Sequence, residues 1–174
     1  NESGYVNSVG HALLREVELE IGGQRIDKHY SDWLEIWSEL TVPAEKREAY
    51  KVMVGKRDAM TAGTSTTEAQ KVYVPLQFFF NRNPGLALPL IALQYHEVKI
   101  NIQFGSRSDC IYGAAANVAG EALKASLYVD YVYLDTDERR RFAQVSHEML
   151  IEQLQFTGDE SVKNGANKIR LNFN

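Results

Sequence analysis

Four histidines, one cysteine and a short acidic-then-basic run are the side chains here that could do chemistry. The histidines are His11, His29, His96 and His147. Two of them open what looks like a metalloprotease signature, "HEVKI" at His96 and "HEMLI" at His147. A helical zinc pair needs a second imidazole one turn further on, so that two ring nitrogens meet one ion. Both stretches place isoleucine there instead, Ile100 and Ile151. No two histidines lie three or four apart, and no His-x-His pair exists of the kind a cupin-type metal enzyme would use. All four are therefore expected to be structural or exposed. Cys110 has no base near it in sequence and is expected to be an inert loop or core thiol.

Asp135, Asp137 and Glu138 cluster carboxylates as a metal or acid–base site would. They also stand where a helix would start, and negative charge complements the positive end of its dipole. Arg139, Arg140 and Arg141 follow. Three successive helical residues point in three directions, so they form no single phosphate clamp and suit a solvated turn or an interface contact. There is no P-loop and no G-x-G-x-x-G, and Gly22-Gly23 reads as a turn. The expectation is that no residue is catalytic, cofactor-binding or metal-binding, and that the chain is not an enzyme.

The bulk properties fit. The chain has 174 residues, 44% hydrophobic and 24% charged, long enough to bury a core as one domain. Its 19 basic and 23 acidic residues give a net charge of −4, which disfavours direct nucleic-acid binding driven by global charge. A single cysteine forms no internal disulfide. No apolar run approaches the ~20 residues of a membrane helix, so no membrane insertion is expected, and no signal-peptide pattern is visible. The chain opens at Asn1 and closes on alternating Ile169, Leu171 and Phe173, a strand pattern without a stop. It is read as a piece of a longer protein, and the glycosylation sequon Asn1-Glu2-Ser3 at its start is discounted.

The elements that must carry these residues are mostly strands. His11 to Ile21 alternates, Gly22-Gly23 turns, and Gln24 to Tyr30 returns as a hairpin. Ser31 or Asp32 is placed to cap a short helix in which Trp33, Leu34, Ile36, Trp37 and Leu40 share helical spacing. Trp33 and Trp37, one turn apart, suit core packing, with a subunit contact as the alternative. A second helix is expected over Ala44–Met53, with Pro43 near its first turn. Further strands are expected at Val72–Phe80, from His96 to Phe104, along Leu123–Tyr133 and at Glu148–Phe156. The inward face of the third would carry Leu123, Ala125, Leu127, Val129, Tyr131 and Tyr133. "NRNPG" is a turn, "ERRRFAQ" a helical turn, and Gly55–Gln70 and Gly105–Gly120 are long polar loops. About seven strands with short helices favour an all-β jelly-roll sandwich over any α/β layout, and an eighth strand would lie upstream.

Three stretches resemble one family: "GHALLREVELEIGGQRIDKHYSDWLEIWSELT" from Gly10, "VPLQFFFNRNPGLALPLIALQYHEVKINIQF" from Val74 and "LDTDERRRFAQVSHEMLIEQLQ" from Leu134. They are similar to the amino-terminal half of the major capsid protein of nucleocytoplasmic large DNA viruses, the group that includes phycodnaviruses and iridoviruses. The resemblance implies the first barrel of a double jelly roll, residues 1–174 forming one truncated domain, with short helical insertions and long loops. It further implies an icosahedral shell subunit that forms a homotrimer of pseudo-hexagonal outline and contacts neighbouring capsomers and minor capsid proteins. The protein would reside in the virion capsid shell after assembly in the host cytoplasm, and would need no cofactor. A lectin-like module binding glycans through its loops is the alternative, although Tyr112 is the one aromatic in the two long loops. With Val98, Ile100 and Ile102 on a core-facing strand, truncation of any one to Ala is expected to cost about 1 to 4 kcal/mol, measured by urea denaturation. An Ile100→Ala variant with unchanged stability would remove that strand face from the core.

Overall fold

The computed structural model describes residues 2–64, 69–113, 123–162, 164–165 and 168–171. Its centre is β2 (Leu14–Ile21), paired antiparallel on one side with β3 (Gln24–Tyr30) and on the other with β4 (Val98–Phe104). Gly22 and Gly23, at φ 59° and 81°, make the tight hairpin turn whose left-handed backbone glycine tolerates. Alternation along β2 places Val17 and Leu19 in the core, 1% and 0% exposed. In register with them stand Ile102 and Ile100 on β4, and His29 and Asp27 on β3. A bulge at Leu19/Glu20 leaves Ile26 as an extra residue on β3, where it still packs against the core edge.

Two helices follow β3. α2 (Ser31–Thr41) buries Leu34, which joins Leu14, Val17, Leu19, Phe78 and Phe79 in the main core. α3 (Ala44–Val54) ends at Gly55, whose φ of 84° supplies the left-handed helix stop. A smaller core of Val9, Met60 and Cys110 lies under α1 (Val9–Leu13), α4 (Asp58–Thr61) and α6 (Arg107–Cys110). A two-stranded sheet of β1 (Ser3–Tyr5) and β5 (Ile111–Gly113) closes that end. α5 (Phe79–Arg82), a 3-10 turn at Pro84–Leu86 capped by Asn83, and α7 (Thr136–Gln144) complete the elements.

Several expectations are corrected. His11 is helical, because the strand begins only at Leu14. Tyr30, not Ser31 or Asp32, occupies the cap position of α2, since the strand runs straight into the helix; Asp32 lies in its first turn. Val72–Phe80 is irregular and ends in α5, and Gly105–Gly120 contains α6 and β5, its remainder at 114–120 lying outside the described residues. The segments 123–133, 148–156 and 168–171 form no strand. Leu127, Tyr131 and Tyr133 are 53%, 63% and 92% exposed, so the supposed inward face is not buried. An extended segment becomes a strand only when a neighbour takes its backbone hydrogen bonds, and no ladder forms along these segments. With seven α-helices among the described residues, the chain in this structure is a mixture of sheets and helices.

A methyl group at Gly113, which sits at φ 93°, would lie 2.1 Å from the Glu2 carbonyl oxygen. At Gly23, with φ 81°, it would meet nothing within 4 Å. Both alanine variants share a backbone strain of about 1 to 2 kcal/mol, so the difference between them isolates the clash. Gly113→Ala is expected to lower the melting temperature well beyond Gly23→Ala in differential scanning calorimetry.

Candidate functional site

Two buried histidines tie the elements together. His29 and Asp27 alternate onto the core face of β3 and are 2% and 3% exposed. The His29 Nε2–H donates to Asp27 Oδ2 at 2.9 Å, and the imidazole stacks on Phe78 with ring centres 4.5 Å apart. The other carboxylate oxygen, Oδ1, accepts the backbone N–H groups of Lys28 at 2.8 Å and Leu154 at 3.1 Å. Burial pushes the Asp27 carboxyl up, but the His29 and backbone bonds together outweigh it and hold the group below its ordinary value of 3.8. Segment 148–156 is thereby fastened along the free edge of β3. Gln153 adds a bond to the Ile26 carbonyl, and Phe156 packs on Tyr30.

His11, on α1, is 2% exposed. Its Nδ1–H donates to Glu35 Oε2 of α2 at 2.6 Å, and its Nε2 accepts the Tyr50 hydroxyl of α3 at 3.0 Å. Lys56 then bridges Glu35 and Glu39 at 2.9 and 3.0 Å. Burial raises Glu35, yet the Lys56 and His11 bonds prevail and leave it below the usual range. Burial, with the nearby Glu35 charge, pushes the Tyr50 hydroxyl up to about 12, so it keeps its proton. On either side of Glu35 along α2, Trp33 and Trp37 pack with ring centres 5.4 Å apart. The Arg82 guanidinium lies 4.4 Å from the Trp37 ring centre and pairs with Glu152 at 2.6 Å.

The remaining candidates separate. His96 and His147 are exposed, and the latter donates to the Phe142 carbonyl. Cys110 is buried, its thiol pushed up by that burial. Asp135 and Glu138 form the reciprocal cap of α7, and Asp137 faces Arg140 at 3.8 Å. Among the described residues no group of three His, Cys, Asp or Glu side chains could hold a metal ion. The crevice between α2 and α3 has room for about one water, 10 Å³. A shallow dish of 180 Å³ lies on the polar face of the sheet between Glu16, Glu18 and Gln103. The Asp27–His29 pair was overlooked in the pattern because alternation is scored for apolar residues, although the two lie two apart on one strand.

The two long loops meet at one end. β1 pairs with β5, Ser3 bridges to Thr64, and the Tyr112 hydroxyl donates to the Thr61 carbonyl. This body has buried histidine–carboxylate pairs at its joints and long loops gathered at one end, and its described residues form a narrow crevice and a shallow dish. The chain belongs to the family described as the major capsid protein N-terminus, whose model matches residues 1–135. It is 60% identical over 173 residues to the major capsid protein of Pyramimonas orientalis virus, a match covering 98% of this chain and 42% of that one. It is 50% identical over 169 residues to the major capsid protein of Paramecium bursaria Chlorella virus 1, covering 93% and 38%. A quasi-atomic structure of the PBCV-1 virus capsid superimposes with a TM-score of 0.82 at 48% identity, over 99% of this chain and 43% of that one. The chain thus spans less than half the length of these relatives.

Removing the Asp27 carboxylate strands a buried imidazole and two backbone donors. Asp27→Ala is expected to cost about 3 kcal/mol or more in urea denaturation. Asp27→Asn, whose amide can donate to a neutral His29 while its oxygen keeps the backbone bonds, should cost less than half as much. Because the folded carboxyl titrates below the unfolded one, its stabilisation is complete above pH 3.8 and is lost as the pH falls through the lower folded value. The acid limb of the stability profile should flatten in the Asn variant.

Proposed function

We propose that residues 1–174 form one domain, the first jelly roll of a double-jelly-roll major capsid protein, and that its function is to build an icosahedral viral shell. The observation that carries this reading is the superposition on a viral capsid subunit over 99% of the chain at 48% identity. The exposed alternation along 123–133 supports it too, since a jelly roll would seat that segment in a sheet. Copies of the full-length protein assemble into homotrimeric, pseudo-hexagonal capsomers. These contact neighbouring capsomers and minor capsid proteins, without direct nucleic-acid contact or membrane insertion. The shell belongs to the virion and is assembled in the host cytoplasm. No residue of this chain is catalytic, binds a cofactor or ligates a metal.

The physical logic is that a shell needs stiff plates whose contacts are individually modest and collectively strong. The loops gathered around β1 can vary without disturbing the sheet. Native mass spectrometry of the full-length protein, with immunogold labelling of purified virions, tests the reading. A trimer and labelled shells are expected. A protein that stays monomeric, or virions whose shells take no label, would overturn it. Substitutions at exposed described residues of the two loops, such as Ala59 and Ser108, should alter assembly yield while leaving the melting temperature within about 1 °C, an effect of a few tenths of a kcal/mol.

A further inference from the structure

We propose that the buried His11 junction is an acid-sensitive clamp: with a neutral imidazole it locks α1, α2 and α3 together, and a proton on Nε2 loosens the α2–α3 cap while the three-stranded sheet stays folded. This inference is independent of the capsid reading. It stands on the hydrogen-bond geometry. A neutral imidazole has one donor and one acceptor, and here both are used: Nδ1–H to Glu35 and Nε2 from Tyr50. A second proton makes Nε2 a donor facing the Tyr50 hydroxyl, which must then turn its own hydrogen away. The bond that joins α1 to α3 is lost or reversed inside a region 2% exposed for His11.

The surroundings do not favour the extra charge. From α2 the junction is faced by Glu35, whose other oxygen already holds Lys56, and beyond it by Glu39, also on Lys56. From α3 it is faced by Tyr50, with Arg47 and Lys51, the latter paired with Glu48, lining the adjoining crevice, and from the turn after α3 by the Lys56 ammonium. From α6 the buried neighbour is Cys110, packed on Val9, while Arg107 and Asp109 lie at the surface, Asp109 bonded to Ser106. On β2, Arg15 is exposed and Glu16 is paired with Lys28. Glu35 alone attracts a proton to the ring, and Lys56 opposes it. Burial outweighs the Glu35 bond, and the imidazole titrates below its ordinary 6.5. The neutral form is thus favoured by the fold: its stabilisation is complete above pH 6.5 and is lost as the pH falls through the lower folded value. Each pH unit by which His11 titrates below 6.5 makes the opened cap up to about tenfold more populated in acid.

The test is amide hydrogen exchange of the full-length protein, corrected for intrinsic rate, between about pH 7.5 and about pH 5.5, the range in which histidine changes charge. Peptides covering 31–54 are expected to lose protection on acidification, while those covering 14–30 keep it. His11→Gln can donate to Glu35 and accept from Tyr50 at every pH, and should hold its cap protection constant. Histidine C2-hydrogen exchange on the unaltered protein gives the His11 titration directly and decides the matter even if His11→Gln fails to fold. Half-protonation of His11 at or above pH 6.5, cap protection that does not change, or equal loss in His11→Gln would each overturn the proposal.

Discussion

The fold depends on a polar pair placed where a strand would ordinarily present grease. Asp27 and His29 face the core of the sheet opposite Leu19 and Val17. A buried charge is tolerable only when its hydrogen-bonding capacity is filled. Here the filling is what organises the structure. One carboxylate oxygen takes the imidazole, and the other takes two backbone donors, one of them 127 residues away in sequence. The imidazole in turn lies flat on Phe78, the most deeply buried aromatic ring. Sheet, aromatic core and the late segment are joined at a single point.

The helical side repeats this solution with different partners. His11, Glu35, Tyr50 and Lys56 come from α1, α2, α3 and the turn beyond. α2 exposes Ile36 and Leu40, and α3 exposes Val52 and Met53. Hydrophobic burial draws the helices onto the body through Leu34 and Val54, while directional bonds set their mutual angle. Such bonds contribute little net energy each, but they penalise alternative arrangements severely, because a buried group left unpaired costs more than the bond gains.

Local signals were legible in the sequence, and long-range ones were not. The Gly22-Gly23 hairpin, the helix carrying Trp33 and Trp37, the helix after Pro43, the acidic start of α7 and the alternation of Val98, Ile100 and Ile102 each follow from neighbours within a few residues. α1 was missed because "HALLREVELEI" alternates well enough to pass for one strand, and the packing of His11 against α2 and α3 overrides that pattern. Along 123–133 the alternation is real, but a strand also needs a partner, and pairing is not written in the segment itself. The importance of His11 and His29 was not legible either, since a buried imidazole announces itself only through the partners that surround it.

The three residues of β1 carry more than their size suggests. Ser3 is shared between Gly113 on one flank and Thr64 on the other, and Gly4 lies beneath the Tyr112 ring. The two surface excursions of the chain therefore lean on one common splint. A peptide grafted into either excursion, as a tag or a displayed epitope, would be felt by its companion, so the pair must be engineered jointly rather than one at a time.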